Sequence, residues 1–550
     1  AETDGKSAAA ICFRFPLVVD EELSELSLRV APDCVAASRF GGAAAPSADG
    51  EEPDFATSRA LRLGSLLLRA VRTAKNEEIA VAHLEELLLS PSDPARLAAA
   101  AATVDSERGR RVLLYVDPQP DYQEGAEFTA VAAAVEAGGA GVSCEYVYSE
   151  STADMLTRKG LEVASAMRAP DDGDEAAWAA RTLGEAREVV GVVCGSDGGL
   201  ALAERLQHIL VPSRSNGIVS ARRDKYLMNE ALRAAGLPVA AQAAPTSWED
   251  AEAFLRSLPH GEDGFRAVLK PRRGTGSVGV FLASSMDEAR QIYSTLDSLA
   301  TVVQQFLDRS RDSSGGCVVQ ECLDGDEWIV DSVSADGEHK VLALWRYEKG
   351  AANGAPFVYL SAEAHALSGP AEAALVDYAR GALDALGWRW GPAHTEIRMT
   401  RHGPRLVEVN AGRWNGLDHG LLSQLAFGRT AIDATVCAYL DERAFADEVP
   451  AAPPPALACA ARLVTLVSSV QGALVRLCHE ETIRSLPSLI KFVPKATVAG
   501  DLVLRTVDLE SSMGYALLAH SDAATVEADY ATLRALQPTM WDVHPVEDVE

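Results

Sequence analysis

The 550-residue sequence has no uninterrupted apolar run of the ~20 residues that a membrane-spanning helix needs. Its most apolar window, residues 455–477, is interrupted by Arg462 and Arg476. The first residues also lack the apolar core of a secretory signal peptide. The sequence therefore predicts a protein without a membrane partner.

Cysteine is scarce and irregularly placed. The nine cysteines include no CxxC pair, and their number is odd. This pattern argues against a disulfide framework and a zinc site, and it is typical of a reducing compartment. We expect an intracellular protein, in the cytoplasm or in an organelle if a transit peptide has been removed.

Basic residues are fewer than acidic ones. The sequence has 50 Lys and Arg and 79 Asp and Glu, which gives a net charge of −29. A field of this sign repels nucleic acids and anionic membranes. It does not exclude a nucleotide, since a nucleotide site needs only a few local cations. We expect small-molecule partners and no nucleic acid.

Residues 1–110 are rich in alanine and carry no recognisable chemistry. Within them, residues 40–54 are typical of a linker and residues 60–89 have helical periodicity. From Arg111 the pattern alternates between strand, loop and helix, which predicts a parallel sheet with helices on its faces.

Ligands bind beyond the carboxyl ends of the strands in such a sheet. The residues found there are Asp117, Gly195, Ser196 and Asp197. Two explanations stay open for them, which are ligand binding and ordinary turn or helix-cap chemistry.

The segment Val268–Ala283, VLKPRRGTGSVGVFLA, contains a GxGxxG pattern. In a dinucleotide-binding turn this pattern joins a strand to a helix, with an acidic residue about 20 positions on. Here β-branched and aromatic residues follow Gly279, which predicts a strand–loop–strand hairpin, and Asp297 falls in a helical pattern. Such a loop covers phosphates with backbone N–H groups, and Lys270 can reach the same phosphates.

The segment Val318–Gly337 predicts a strand, a turn and a second strand. Its start is suited to an adenine slot, in which backbone groups and Glu321 meet the polar edge of the purine. Glu327 follows where a carboxylate can accept hydrogen bonds from ribose hydroxyls.

Two later apolar strands carry carboxylates. Glu396 lies in GPAHTEIRMT, and Glu408 and Asn410 lie in RLVEVNAGRWNG. The two-residue period of a strand places Glu408 and Asn410 on one face. Carboxylate and amide oxygens suit a Mg²⁺ ion that also binds nucleotide phosphates, so we predict a magnesium site.

The order of these motifs resembles the ATP-grasp superfamily. The motifs are RRDKYLM, VLKP, GTGSVG, QExLxGxE, HTEIR and LVEVN. Within the superfamily the chain is similar to carboxylate–amine ligases, which include L-amino acid ligases and carnosine synthase. The match begins near Arg111 and implies an α/β (α+β) class: an ATP-grasp fold with an N-terminal parallel-sheet (Rossmann-like) domain and a C-terminal α+β subdomain.

The resemblance also implies a division of the chain. The parts are an N-terminal extension (1–110), a Rossmann-like domain (111–220), a small lid subdomain (221–325), a large subdomain with the metal site (326–450) and a C-terminal α+β subdomain (451–550). The insert LDRSRDSSGGC departs from the family and is predicted to be a loop. Relatives indicate a homodimer.

Site roles are carried over residue by residue. The ATP phosphates would be contacted by Lys225 and Lys270 and covered by Gly274, Gly276, Ser277 and Gly279. The adenine would be framed by Gln320, Glu321 and Leu323, and the ribose bound by Glu327. The metal ion, Mg²⁺ or Mn²⁺ in its place, would be held by Glu396, Glu408 and Asn410.

The family has an arginine four residues after the second metal-binding glutamate. That position is Gly412 here, and the arginine follows as Arg413, to which we assign a catalytic role with Lys270. Further substrate candidates are Arg346 and Lys349, which follow a predicted strand, His394 and Trp414. Surface turns or core packing are the alternatives for these residues.

The resemblance implies an ATP-dependent ligase that forms an amide bond, as in a dipeptide, from an amino acid and an amine. The reaction passes through an acyl phosphate and releases ADP and phosphate. The alternatives are another ATP-grasp enzyme of the carboxylase or purine-pathway type, or a non-catalytic ATP-binding regulator. Modification of a protein terminus or side chain also stays open.

Overall fold

A computed structural model describes most of the chain from residue 111 and a short part before it. The described residues are 11–19, 22–30, 111–118, 131–136, 141–158, 167–170, 173–184, 187–259, 264–274, 279–307, 316–416 and 418–545. The chain divides into two compact units, Ala1–Val112 with Ala132–Ser143 and Leu113–Val131 with Cys144–Glu550. The first contains an antiparallel hairpin of β1 (Ile11–Val19) and β2 (Glu22–Val30). The predicted linker 40–54 and helix 60–89 lie outside the described residues.

A four-stranded sheet confirms the strand–loop–helix alternation after Arg111. Its order is β5-β4-β3-β6, and β4 and β5 pair in parallel. Its elements are β3 (Arg111–Val116), β4 (Val142–Ser149), α1 (Glu150–Arg158), β5 (Met167–Ala169), α2 (Glu175–Thr182), β6 (Glu188–Cys194) and α3 (Leu200–Leu210). The cores of β3 and β6 are continuous apolar runs, as expected of strands buried on both faces.

A second four-stranded sheet, of order β7-β10-β8-β9, carries the glycine-rich hairpin. Its elements are α4 (Lys225–Ala234), β7 (Gln242–Ala243), α5 (Trp248–Ser257), β8 (Ala267–Pro271), β9 (Phe281–Ala283), α6 (Met286–Leu307) and β10 (Cys317–Glu321). β8 and β9 pair antiparallel, which confirms the predicted strand–loop–strand unit. The loop positions Gly276 and Ser277 lie outside the described residues.

The largest sheet has eight strands in the order β15-β14-β11-β12-β13-β16-β20-β18, and a three-stranded sheet has the order β19-β17-β21. The strands are β11 (Asp326–Ala335), β12 (Glu338–Ala352), β13 (Ala355–His365), β14 (Gly391–Thr400), β15 (Gly403–Ala411), β16 (Ala460–Thr465), β17 (Gly472–Leu477), β18 (Leu489–Pro494), β19 (Leu502–Val503), β20 (Gly514–His520) and β21 (Trp541–Pro545). The helices are α7 (Pro370–Ala385), α8 (His419–Phe427), α9 (Ala431–Leu440), α10 (Glu442–Glu448), α11 (Glu480–Arg484) and α12 (Ala523–Leu536). No helix in the described ranges is long and apolar enough to cross a membrane.

The two faces of the eight-stranded sheet are covered differently. On one face Val330 and Leu344 pack with α4 and α7 through residues such as Leu232 and Leu375. On the other face α8 covers only part of the sheet, where Leu422 packs with Trp345 in a second core. Beyond this core, Glu327, Tyr347 and Glu396 of the same face line a cavity.

A fully buried arginine joins three segments near this cavity. The guanidinium of Arg222 has five N–H donors, and each one has an acceptor. The acceptors are the carboxylate of Glu204 and the carbonyl oxygens of Asn216, Gly217, Leu386 and Gly387. Arg222 thus ties α3, the loop before α4 and the end of α7 together.

Replacing this arginine with methionine should lower the free energy of unfolding by about 3–5 kcal/mol, because the buried Glu204 loses its partner at 2.7 Å and keeps only Arg223 at 3.5 Å. Urea unfolding measures the change. The double variant Arg222→Met/Glu204→Leu should recover part of the loss. Arg233→Met removes an exposed partner of Glu230 and should change stability by less than about 1 kcal/mol. An equal effect of the two single substitutions would contradict this account.

Candidate active site

The predicted metal ligands meet on adjacent strands of the eight-stranded sheet. Glu396 on β14 lies directly opposite Glu408 on β15, and His394 lies opposite Asn410. Asn410 Nδ2 donates a hydrogen bond to Glu408 Oε1 at 3.0 Å. The strand periodicity therefore brings two carboxylates and one amide to one place.

Lys225 connects this carboxylate pair to the glycine-rich hairpin. Its Nζ lies 2.6 Å from Glu408 Oε2 and donates to the carbonyl oxygen of Gly274 at 2.5 Å. Asp224 fixes its position, because its carboxylate caps α4. Burial raises the pKa of Glu408, but the charge and hydrogen bond of Lys225 outweigh burial and lower that pKa to about 2.

Lys270, at the end of β8, is a buried cation close to the same carboxylates. No hydrogen bond or ion pair joins its ammonium group to another residue in the part of the chain that the structure describes. Burial, and then repulsion from Lys225, lower its pKa to about 8 against the attraction of Glu408, Glu396 and Glu327. An anion bound here would hold Lys270 in its charged form.

We predict that this lysine makes nucleotide binding pH-dependent. Its pKa is depressed, so Lys270 is charged below about pH 8 and loses its proton above it. ADP should therefore bind more weakly at pH 9 than at pH 7.5, with uptake of a proton at the higher pH. Calorimetry in two buffers of different ionisation enthalpy measures both effects. Lys270→Met should remove the pH dependence and Lys495→Met should keep it; equal affinity of the native protein at both pH values would refute the prediction.

The predicted adenine frame lines the cavity. Gln320, Glu321 and Leu323 are all part of its wall. Gln320 Nε2 donates to Gln242 Oε1 at 2.9 Å, and Glu321 Oε1 accepts from the backbone N–H of Ala241 at 2.9 Å. These bonds hold the end of β10 against β7.

Glu327, the predicted ribose ligand, is buried in the cavity wall between two cations. Its carboxylate lies 2.5 Å from Lys349 Nζ and 3.0 Å from an Nη atom of Arg398. Burial raises its pKa, but these two charges outweigh burial and lower it. The sequence did not reveal this pairing, because the partners come from neighbouring strands.

The prediction that Arg346 and Lys349 follow a strand was wrong, because β12 continues to Ala352. Lys349 lines the cavity. Arg346 does not line it; its side chain is 41% exposed, and its guanidinium pairs with Glu363 at 2.8 Å. The structure thus gives no support to a substrate role for Arg346.

His394 lies between two carboxylates on the cavity floor. Its Nδ1 is 2.9 Å from Asp331 Oδ1, and its Nε2 is 3.4 Å from Glu396 Oε1. Burial lowers the pKa of His394, but these hydrogen bonds and charges outweigh burial and raise it to about 9. Asp331 was missed, although its two-residue spacing from Ile329 and Glu327 places it on the same face.

Arg413 lies in the cavity wall one residue after the position expected from the family. Gly412 has φ +100°, and a Cβ there would lie 3.0 Å from Leu200 Cδ2, so a larger residue is disfavoured. Arg413 pairs with Asp197, which also lines the cavity. Trp414 lines the cavity too, and its indole N–H donates to Thr435 at 3.0 Å.

Ligand binding and turn or cap chemistry were the two explanations for the residues at the strand ends, and each explanation fits different residues. Asp117 accepts hydrogen bonds from Ser149 and from the hydroxyl of Thr152 and is absent from the cavity wall, which favours turn chemistry for it. Ser196 caps the next turn by accepting from Gly199 N–H. Asp197 alone among these residues reaches the cavity.

The arrangement suits a divalent cation that keeps phosphate oxygens among its ligands. Glu396 and Glu408 supply carboxylates, and Asn410 adds an amide oxygen when its side chain turns. No group of three His, Cys, Asp or Glu side chains placed to hold a metal occurs among the described residues.

Comparisons with known proteins show what this chain is similar to. A family model for the ATP-grasp domain matches residues 264–419. Dapdiamide A synthase of Enterobacter agglomerans is 26% identical over 359 residues, which covers 65% of this chain and 81% of that protein. The L-arginine-specific L-amino acid ligase of Bacillus subtilis is 25% identical over 197 residues, or 35% of this chain and 43% of that protein.

A solved structure has the same fold as this chain. The crystal structure of an L-amino acid ligase from Bacillus licheniformis superposes with a TM-score of 0.58 at 17% identity. The match covers 80% of this chain and 100% of that chain. The predicted fold class is thereby confirmed.

Proposed function

We propose that this chain, an ATP-grasp enzyme of the ADP-forming carbon–nitrogen ligase class, joins the carboxylate of an amino acid to the amino group of a second amino acid or small amine. The observation that carries the proposal is the meeting of Glu396 and Glu408 with Lys225 and Lys270 in one cavity. Two anions and two cations at this spacing suit a metal-bound triphosphate. The glycine-rich hairpin is attached to the same place through Lys225 and Gly274.

Nucleotide binding would use the charged part of the cavity and the end of β10. Lys225 and Lys270 neutralise phosphate oxygens, and the loop of Gly274, Gly276, Ser277 and Gly279 covers them. Gln320, Glu321 and Leu323 frame the adenine, and Glu327 accepts from the ribose. Because Lys349 and Arg398 already hold Glu327, its carboxylate is ionised and fixed in position.

ATP-grasp enzymes use ATP with a divalent metal ion, and we propose Mg²⁺, with Mn²⁺ as a substitute. Glu396, Glu408 and Asn410 would hold the metal. When bound, it would neutralise charge on the transferred phosphoryl group. His394 Nε2 lies 3.4 Å from Glu396 Oε1, which holds that carboxylate at the cavity floor beside Glu408.

The first proposed step is phosphoryl transfer. A carboxylate oxygen of the amino acid attacks the γ-phosphorus of ATP, and the bond to the β-phosphate oxygen breaks, which gives an acyl phosphate and ADP. Lys270 acts by positioning and charge neutralisation, which is most of what this reaction needs. The hairpin over the phosphates excludes water that would hydrolyse the acyl phosphate.

The second proposed step forms the amide. The neutral amine attacks the acyl carbon, a tetrahedral oxyanion forms, and phosphate leaves as the amine nitrogen loses its proton. Arg413 would stabilise this oxyanion through its planar guanidinium. Its ion pair with Asp197 keeps the guanidinium at the cavity wall.

Product analysis tests the proposal. The protein is incubated with Mg·ATP and pools of L-amino acids, one of them labelled with ¹⁸O in the carboxylate. ADP and phosphate that depend on the amino acid, with ¹⁸O transferred to phosphate, would support an acyl phosphate. AMP and pyrophosphate would instead indicate adenylation, and tight ATP binding without turnover in any pool would favour the regulator.

A further inference from the structure

The cavity floor changes from charged to apolar across the eight-stranded sheet. Residues in direct register form one row that runs from Arg398 through Glu327, Tyr347 and Ala362 to Leu463. Directly opposed residues point to the same face of a sheet. The row therefore gives the order in which a ligand on this face would meet these side chains.

The apolar end of this row is well separated from the nucleotide end. Three strand intervals separate Glu327 from Leu463, which at about 4.8 Å each is about 14 Å. The carboxylates Glu396 and Glu408 lie on the charged side of the row, on β14 and β15. The apolar end is thus outside the region where we place the metal and the ribose.

The wall at this end carries no ionised side chain of its own. It consists of Phe357, Tyr359, Ala362, Leu463, Thr465 and Leu509, which we call the apolar subsite. One cation, Lys349, borders the subsite, and its Nζ lies 3.9 Å from the centre of the Tyr359 ring. Its charge is already paired with Glu327, so it offers little to a second anion.

Leu509 reaches the subsite from a short turn between β19 and β20. Ser511 N–H donates to Asp508 Oδ1 at 2.8 Å, and Ser511 Oγ accepts from Val507 N–H at 2.9 Å. Thr506 exchanges hydrogen bonds with Ser468 at the base of the turn. The turn is thus fixed by its own polar groups, and these do not involve the Leu509 side chain.

We propose that the apolar subsite binds the side chain of one amino acid substrate and selects an uncharged aliphatic or aromatic one. This inference rests on the proposed ligase function. A charged side chain would lose its hydration here without gaining a partner, which is strongly unfavourable. An aliphatic or aromatic side chain would gain contacts with Phe357, Tyr359, Leu463 and Leu509.

Substitution of Leu509 tests the subsite because this side chain is on a loop and only partly buried. At saturating Mg·ATP, kcat/KM is measured from ADP release with L-leucine, L-phenylalanine, L-arginine and L-glutamate. The native protein should prefer the first two by about a hundredfold. Leu509→Glu should lower kcat/KM for leucine and phenylalanine by about tenfold or more, raise the relative value for arginine, and leave the KM for ATP unchanged.

Leu502→Glu is the matched control. Leu502 is 61% exposed, lies on β19 and is absent from the cavity wall, so this variant should keep the native preference. A native preference for charged side chains, or an unchanged ranking in Leu509→Glu, would overturn the subsite.

A binding measurement separates this inference from the proposed function. Calorimetric titration of the ADP-loaded protein with L-phenylalanine and with L-arginine needs no turnover. Loss of phenylalanine binding in Leu509→Glu, but not in Leu502→Glu, would support the subsite even if no amino acid released ADP. Equal phenylalanine binding by all three proteins would reject it whether or not ligase activity is found.

Discussion

Glu396→Gln and Glu408→Gln should each reduce amino-acid-dependent ADP release by about a thousandfold. Glutamine keeps the size of the side chain and removes its charge. The proposed metal stabilises charge in the transition state by several kcal/mol, and each 1.36 kcal/mol is about tenfold in rate. Because the two glutamates face each other on adjacent strands, the loss of either one should disable the site.

Stopped assays at saturating ATP and amino acid measure this effect, with calorimetry of ADP binding in the presence and absence of Mg²⁺. The variants should lose the Mg²⁺-dependent part of binding. Glu338→Gln is the control, because Glu338 is a strand glutamate that is 57% exposed and absent from the cavity wall. Turnover within tenfold of the native rate in both site variants would show that Glu396 and Glu408 are not the metal ligands.

The second large effect is expected at Arg413. Arg413→Ala should lower kcat by about 10²–10³-fold, the usual consequence of losing one oxyanion-stabilising donor. The KM for ATP should change little, because in our proposal Lys225 and Lys270, not Arg413, bind the phosphates. Arg413→Lys should restore only part of the rate, since an ammonium lacks the planar pair of donors.

Asp197 should affect the rate through Arg413 alone. Asp197→Asn should lower kcat by less than Arg413→Ala does, with the same KM for ATP. The double variant Asp197→Asn/Arg413→Ala should be no slower than Arg413→Ala, because residues that act through one contact are not additive. Additive losses in steady-state kinetics would mean that Asp197 has a separate role.

Local patterns predicted much of the site. The alternation after Gly279 predicted the hairpin of β8 and β9, and the two-residue period placed Glu408 and Asn410 together. These features depend on residues that are close in sequence. In a strand, residues two positions apart lie on the same face, so their spacing predicts where they lie. Gly276 and Ser277 lie outside the described residues, and the roles of all these residues stay predictions.

Contacts between distant segments were not predictable in the same way. The segment Val318–Gly337 looks like one hairpin, yet β10 and β11 belong to different sheets, because each strand finds its partner elsewhere in the chain. Asp117 and Asp197 both follow buried strands, but only Asp197 reaches the cavity. Whether a strand-end residue reaches the cavity depends on which distant segments pack against it, and the local sequence does not predict those segments.

The continuity of the eight-stranded sheet has an evolutionary consequence. β13 pairs directly with β16, so the strands after residue 450 extend the same sheet that carries Glu396 and Glu408. Mutations that accumulate in this late part of the gene can reshape one end of the cavity while the phosphate-binding residues stay unchanged. A single catalytic ancestor could in this way give rise to enzymes with different substrates, and exchanging the last hundred or so residues between relatives is a practical route to new specificity.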